Sequence, residues 1–244
     1  KIPAFVLLGI ISAFMALYFL RINRWISNKF SKYKRSTKII TGGIILGLLV
    51  YIFPPLFGEG YSALTALLNN DVDLMFENSF FHPYVDNELT FLMVLVAIVF
   101  FKAIATAVTC SSGGVGGTFA PSLFLGGFVG FFVARIVNLS GFITVAESNF
   151  ALVGMAAVMA GVMHSPLTAT FLIAEITGGY ALFTPLLIAT TIAYLVVKPL
   201  TKYSIYAAPL AAKGDLTTHN KDKNALNYIN INKLIETNFV TLLP

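Results

Sequence analysis

Residues 111–130, SSGGVGGTFAPSLFLGGFVG, join clustered glycines to an apolar run and contain no charged side chain. Glycine-rich loops often bind phosphate, so two phosphate-binding patterns are relevant here. The dinucleotide pattern G-x-G-x-x-G that begins at Gly114 requires a third glycine at the position of Phe119. A P-loop requires Gly-Lys-Ser/Thr, and no lysine lies between Lys102 and Lys198. The stretch is therefore not predicted to bind a nucleotide.

Two other hypotheses account for these glycines. Small residues allow close helix packing in membranes. Alternatively, clustered glycines free the backbone just before a helix that begins near Thr118. The N–H groups of a first helical turn have no partner within the helix and carry a partial positive charge, so they attract anions without a charged side chain. The clustering of the glycines before a helix start favours this second hypothesis.

The composition predicts an integral membrane protein. Of the 244 residues, 57% are hydrophobic and only 11% are charged, and the mean hydropathy is +0.82. A soluble domain of this length usually has about a quarter of its residues charged. Lipid is therefore expected to cover much of the surface.

The apolar segments shorten along the chain. Four of them are long enough to approach a membrane span, at residues 2–20, 39–57, 89–110 and 119–137. Three later ones are shorter, at residues 150–163, 166–176 and 182–197. A membrane-normal helix needs about 20 residues. Short segments indicate broken or re-entrant helices, which are typical of transport proteins.

A basic run connects the first two apolar segments. Residues 21–38 contain seven Lys or Arg residues and no acid. Nucleic-acid binding is one interpretation, but the flanking apolar runs favour a short cytoplasmic connection that follows the positive-inside bias. No nucleic-acid partner is predicted.

Single residues add little chemistry. The histidines, His82, His164 and His219, are scattered without ligand spacing, so no metal site is predicted. Cys110 is expected to be a small buried residue. Lys102 lies within an apolar segment, and either attracts anions or extends to the membrane interface; the second interpretation is favoured.

The stretch GGVGGTFAPSLFLGGFVG closely resembles the G-x-F-x-P anion-binding signature of the CLC chloride channel and transporter family. Three further segments are similar to later parts of that family: GVMHSPLTATFLIAEITGGY, KPLTKYSIYAAPLAAKG and LIETNFVTLLP, the last resembling the start of a CBS domain. The resemblance implies an all-α polytopic membrane protein with the second half of an inverted-repeat fold, containing broken and re-entrant helices. It places the carboxy-terminal part of the membrane domain at residues 1–213. It places a cytoplasmic linker and the start of a CBS-type domain at residues 214–244.

The resemblance also implies the site. In the family, the two residues after the Gly-Gly pair donate backbone N–H groups to an anion, and these are Thr118 and Phe119 here. A tyrosine hydroxyl at the start of the last helix binds the same anion. Tyr203 matches that position without a gap, and Tyr206 is the alternative. GEGY at residues 58–61 resembles a family loop that opens a short helix, where backbone geometry matters.

The expected activity is chloride transport, with chloride as the bound and transported ion and no cofactor. Channel and chloride/proton exchanger both stay open, because the resemblance places the family's gating and proton glutamates in the other half of the fold. Fluoride or nitrate is the alternative anion. The resemblance implies a homodimer in the cell membrane with a cytoplasmic carboxy-terminal tail, and a possible nucleotide at CBS domains. An intramembrane enzyme is the non-transport alternative, although no Ser, His and acid group has motif spacing, and we expect no enzyme.

Overall fold

The computed structural model describes residues 2–69, 71, 81 and 87–213. The chain divides into two compact units, residues 1–205 and residues 206–244. The predicted linker and CBS start at residues 214–244 lie outside the described residues, as do His82 and His219.

Every regular element among the described residues is helical, which confirms the all-α prediction. The first unit contains α1 (Ile2–Ser31), α2 (Arg35–Ile52), a 3-10 turn (Pro54–Leu56), α3 (Tyr61–Leu68), α4 (Glu88–Ser112), α5 (Phe119–Leu139), α6 (Glu147–Met163), α7 (Pro166–Ile176) and α8 (Phe183–Leu200). The described part of the second unit contains α9 (Ala207–Lys213).

Five helices, α1, α2, α4, α5 and α8, are long and apolar enough to cross a membrane. Helices α6 and α7 are apolar but have only 17 and 11 residues. These lengths confirm the short segments predicted at residues 150–163 and 166–176. The third segment, predicted as residues 182–197, forms a helix of 18 residues instead. The protein is therefore a multi-pass membrane protein with short apolar helices between its longer ones.

Helix α1 is longer than hydropathy predicted. It continues beyond Leu20 through most of the basic run, and only residues 32–34 separate it from α2. Lysine and arginine are good helix formers, and residues 21–31 contain neither glycine nor proline. Hydropathy marks where lipid contact ends, whereas the backbone hydrogen bonds of α1 continue beyond that point.

Helix α6 forms the centre of the first unit, where it packs against α1, α5 and α8. All of residues 150–162 are buried except Leu152. Glycines permit the close approach of α5, since a Cβ at Gly126 would overlap the carbonyl oxygen of Gly154, and one at Gly130 would overlap that of Phe150. The glycines within α5 therefore serve helix packing, which was one of the two sequence hypotheses.

A change of backbone direction separates α6 from α7. His164 has a left-handed backbone, with φ of 58°, and Pro166 then starts α7. Ser165 occupies the N-cap position that the sequence indicates, but its side chain forms no cap hydrogen bond. The Ser165 hydroxyl instead donates to the Met163 carbonyl at 3.4 Å. Proline at the first helical position loses no helical hydrogen bond, so α7 can start abruptly.

Candidate anion-binding site

The glycines before α5 serve a different purpose from those within it. Gly113 ends α4 with a left-handed backbone, with φ of 97°, a conformation that glycine adopts at low cost. The Gly114 N–H donates to the Thr109 carbonyl at 3.0 Å and satisfies one of the last carbonyls of α4. Residues 114–117 then form a loop that leads into α5. This loop delivers the chain to an exposed helix start, as the second sequence hypothesis predicts.

Helix α5 begins at Phe119 with Thr118 as its N-cap residue. Within the described residues, the N–H groups of Thr118 and Phe119 have no backbone acceptor. Thr118 provides no side-chain cap, and its hydroxyl oxygen is buried without a hydrogen-bond partner in the described part of the chain. Pro121 has no N–H at all. The start of α5 therefore combines unpaired N–H donors with an unpaired hydroxyl, and it carries the positive end of the helix dipole.

A cavity of about 800 Å³ opens in front of this helix start. Phe119, Ala120 and Pro121 form one side of the cavity. The remaining wall comes from α2, the turn at residues 56–61, one face of α4 and the loop at residues 115–117. Phe119 is 37% exposed, so the start of α5 borders open space.

Lys102 lies in the wall of the cavity and is 1% exposed. Its ammonium group donates to the carbonyl oxygens of Leu56 at 3.1 Å and Gly58 at 2.9 Å. It also lies over the ring of Phe124, 4.6 Å from the centroid. The expectation that this side chain extends to the membrane interface is therefore wrong. The turn at residues 56–58 provides carbonyl acceptors close to the ammonium group. This contact could not be predicted, because the turn and Lys102 are more than 40 residues apart in the sequence.

The turn that Lys102 contacts has the backbone geometry that its sequence indicates. Gly58 and Gly60 have left-handed backbones, with φ of 55° and 83°, and α3 begins at Tyr61. Between them, Glu59 is exposed and lines the cavity. Glu59 was missed as a cavity residue, because glycine spacing indicates the turn and not the direction of the side chain between the glycines.

Cys110 also differs from expectation. The sequence predicted a buried residue, but Cys110 is exposed and lines the cavity near the end of α4. The apolar run around Cys110 does not indicate which face of α4 points into the cavity. That face includes Lys102, Thr106 and Thr109, whose polar side chains recur at helical spacing. The recurrence is the signal that could have identified it.

The proposed tyrosine ligand is not among the cavity residues. Tyr203 is half-buried in the segment that follows α8, with the Lys202 ammonium 5.3 Å from its ring centroid. The Ile205 N–H donates to the Val162 carbonyl at 3.3 Å and ties this segment to the end of α6. Tyr206 begins the second unit. The structure thus brings Phe119 to the cavity with Thr118 next to it, and the tyrosine assignment stays a prediction.

Comparison with known proteins identifies relatives of this chain. The chain is 32% identical over 171 residues to the voltage-gated ClC-type chloride channel ClcB of Escherichia coli strain SMS-3-5, a match that covers 69% of the chain and 36% of ClcB. The crystal structure of a slow cyanobacterial Cl⁻/H⁺ antiporter matches 87% of the chain and 47% of that protein, at 26% identity and a TM-score of 0.69. A eukaryotic CLC transporter shares the fold over 87% of the chain and 35% of its own length, at 20% identity and a TM-score of 0.54.

The chain therefore spans about a third of the length of the curated relatives that it matches. The family model described as voltage gated chloride channel matches residues 1–198, which is most of the chain. This match includes the start of α5 and every residue of the cavity wall. The chain belongs to the voltage-gated chloride channel family.

Proposed function

We propose that this protein transports chloride across a membrane and that the start of α5 binds the ion during transport. One observation carries the proposal: Thr118 and Phe119 have unpaired N–H groups at the start of α5, and Phe119 lines a cavity of about 800 Å³. An anion there gains hydrogen bonds and the favourable end of the helix dipole. Family membership and the functions of the similar proteins support chloride as that anion.

Backbone donors suit an ion that must also leave. Conduction requires binding that is favourable enough for entry and weak enough for release. Two N–H groups and the helix dipole, which is equivalent to about half an elementary positive charge, bind a halide less tightly than a lysine in direct contact would. The unpaired Thr118 hydroxyl adds a third donor at the same helix end.

The similar proteins include a channel and an antiporter, so the proposal covers both modes. Proton movement coupled to chloride movement distinguishes them. Fluoride and nitrate are the competing substrates to test beside chloride. The family supports transport over intramembrane catalysis, and we propose that the protein is not an enzyme.

The proposed setting is a homodimer in the cell membrane. The seven basic residues from Arg21 to Lys38 support a cytoplasmic position for the end of α1, by the positive-inside bias. We propose that the carboxy-terminal tail is also cytoplasmic and leads to CBS domains that bind a nucleotide.

Chloride flux from proteoliposomes tests the function. The whole protein is reconstituted with internal chloride, and release is followed after a potassium ionophore supplies the counter-current. We expect release well above that of protein-free liposomes. If the protein exchanges chloride for protons, chloride release drives protons inward and the interior becomes more acidic, whereas a channel leaves the internal pH unchanged. Chloride release at the protein-free rate would contradict the proposed function.

Tyrosine variants test the ligand assignment separately. Tyr203→Phe removes only the hydroxyl, and we expect it to weaken chloride binding measured by calorimetry. Tyr206→Phe is the matched control and should leave binding unchanged. The reverse result would transfer the assignment to Tyr206, and no effect of either change would remove the tyrosine from the site.

A further inference from the structure

The cavity in front of α5 has a buried cation in its wall. The Lys102 ammonium is held by the Leu56 and Gly58 carbonyl oxygens and by the face of Phe124. These groups stabilise the ammonium through partial charges and do not neutralise it. Within the described residues, no carboxylate forms an ion pair with Lys102. The wall therefore contains an ammonium group with no ion-pair partner among the described residues, inside a membrane helix, where an unneutralised charge is costly and by default functional.

Glu59 is the acidic residue among those that line the cavity. It lines the same cavity but is exposed, whereas Lys102 is almost completely buried. Water screens an exposed charge more than a buried one. The field of Lys102 in the cavity is consequently reduced by Glu59 and not cancelled.

We propose that Lys102 and Glu59 together set the electrostatic potential of this cavity, with Lys102 making it attractive to small anions and Glu59 limiting that attraction. This role rests on the proposed function: Lys102 and Glu59 determine which sign of ion enters the cavity, and the N–H groups of α5 then bind that ion. Lys102 does not need to contact the anion. A concave site with low-dielectric walls focuses the field of a single charge and raises the local concentration of ions of the opposite sign.

A purely structural role is the competing explanation. Lys102 also holds the turn at residues 56–58 in place, and removing it would disturb the turn whatever the charge does. The test must therefore respond to the sign of a charged probe. A loss of transport in a Lys102 variant would not separate the two explanations.

Cys110 is a suitable reporter. It is the only cysteine in the chain, it is exposed, and it lines the same cavity. It follows Lys102 by eight residues on α4, an axial distance of about 12 Å. The full chain is reacted with two thiol-specific methanethiosulfonates of similar size, one carrying a sulfonate and one a trimethylammonium group. The ratio of the anionic to the cationic reaction rate measures the potential at Cys110.

Lys102→Met removes the charge while keeping the length of the side chain. A unit charge at about 12 Å acts on the two reagents in opposite directions, so in buffer of low ionic strength the rate ratio should fall about threefold with the dielectric constant of water. Lys102→Arg should retain the ratio. Lys198→Met, a change of lysine near the end of α8 and outside the cavity wall, is the matched control and should leave the ratio unchanged.

Three results would overturn the proposal: an unchanged ratio in Lys102→Met, equal slowing or acceleration of both reagents, or no reaction of Cys110 with either reagent. If Lys102→Met does not fold, Glu59→Gln decides the matter, because Glu59 is exposed and the variant should fold. The ratio should then rise, and an unchanged ratio counts against the proposal. Because the readout needs no transport, a positive potential without chloride flux would contradict the proposed function alone.

Discussion

Gly126 and Gly154 face each other across the contact between α5 and α6. The backbone of each glycine occupies the space that a side chain on the other would need. A Cβ at Gly126 would overlap the Gly154 carbonyl oxygen, and a Cβ at Gly154 would overlap the Gly126 carbonyl oxygen. Backbone therefore packs directly against backbone at this point. The contact fixes α5 against the most buried helix of the fold, and so fixes the direction in which the start of α5 points.

Gly154→Ala should destabilise the protein by about 1–3 kcal/mol, because the added methyl group meets main-chain atoms that cannot move aside. The measurement is unfolding in detergent followed by circular dichroism. Gly43→Ala is the matched control, since Gly43 lies in helix α2 with no atom within 4 Å of the added Cβ. Alanine there should leave stability unchanged or raise it by up to about 1 kcal/mol. Equal effects at the two positions would contradict this account of the contact.

Arg135 joins the starts of α4 and α6. Its guanidinium donates to both carboxylate oxygens of Glu88, at 2.6 and 3.0 Å, and to Glu147 at 3.1 Å. Arg135→Met should lower the free energy of unfolding by about 1–3 kcal/mol, because charge-assisted hydrogen bonds are lost and two carboxylates stay close together. The loss should decrease at high salt. Arg24→Met, at an exposed position of α1 with no ion pair among the described residues, should have little effect.

Gly58 and Gly60 provide a comparison within one turn. Both have left-handed backbones, so alanine is strained at either position. Only at Gly60 would the added Cβ also meet another group, with the Phe124 ring at 2.5 Å and the Lys102 ammonium at 3.2 Å. Gly60→Ala should therefore cost about 1–3 kcal/mol more than Gly58→Ala in the same unfolding measurement. An equal cost would show that Lys102 and Phe124 move aside freely.

The effect of removing the Thr118 hydroxyl on stability should depend on chloride. Thr118→Val removes a buried polar atom that has no partner in the described structure, so in chloride-free buffer stability should rise by about 1 kcal/mol. Added chloride should reduce this advantage if the hydroxyl donates to the ion. Thr190→Val is the buried control, because its hydroxyl is bonded to Thr170 at 3.0 Å and to the Leu186 carbonyl at 2.7 Å, and its loss should destabilise at any chloride concentration. An advantage of Thr118→Val that chloride does not alter would remove the hydroxyl from the site.

The local features of this fold could be predicted from the sequence. Pro166 starts α7, Gly178 follows its end, and Thr118 immediately precedes α5. These positions are predictable because each depends on the backbone preferences of a few adjacent residues. The two hypotheses for the glycines were both needed. Gly113 and Gly114 shape the loop before α5, whereas Gly126 permits helix packing.

The contacts between distant segments could not be predicted in the same way. Lys102 lies 44 residues from Gly58, and no local pattern shows that the carbonyl oxygen of Gly58 satisfies its ammonium. The exposure of Cys110 likewise depends on how α4 is rotated against its neighbours. Apolar residues occur on every side of α4, so hydropathy alone does not show its orientation, and only the spacing of Lys102, Thr106 and Thr109 marks the cavity face.

The central claim is that the backbone N–H of Phe119 binds the transported anion. The direct test replaces the amide that precedes Phe119 by an ester, which removes that N–H and leaves every side chain unchanged. Chloride binding is then measured by calorimetry. The control is the same replacement at Phe142, which is 90% exposed in the loop between α5 and α6. A hydrogen bond to a charged partner is worth about 1.5–3 kcal/mol, so the ester at Phe119 should weaken chloride binding roughly 10- to 100-fold while the ester at Phe142 leaves it unchanged. Equal chloride affinity in the two ester proteins would contradict the account.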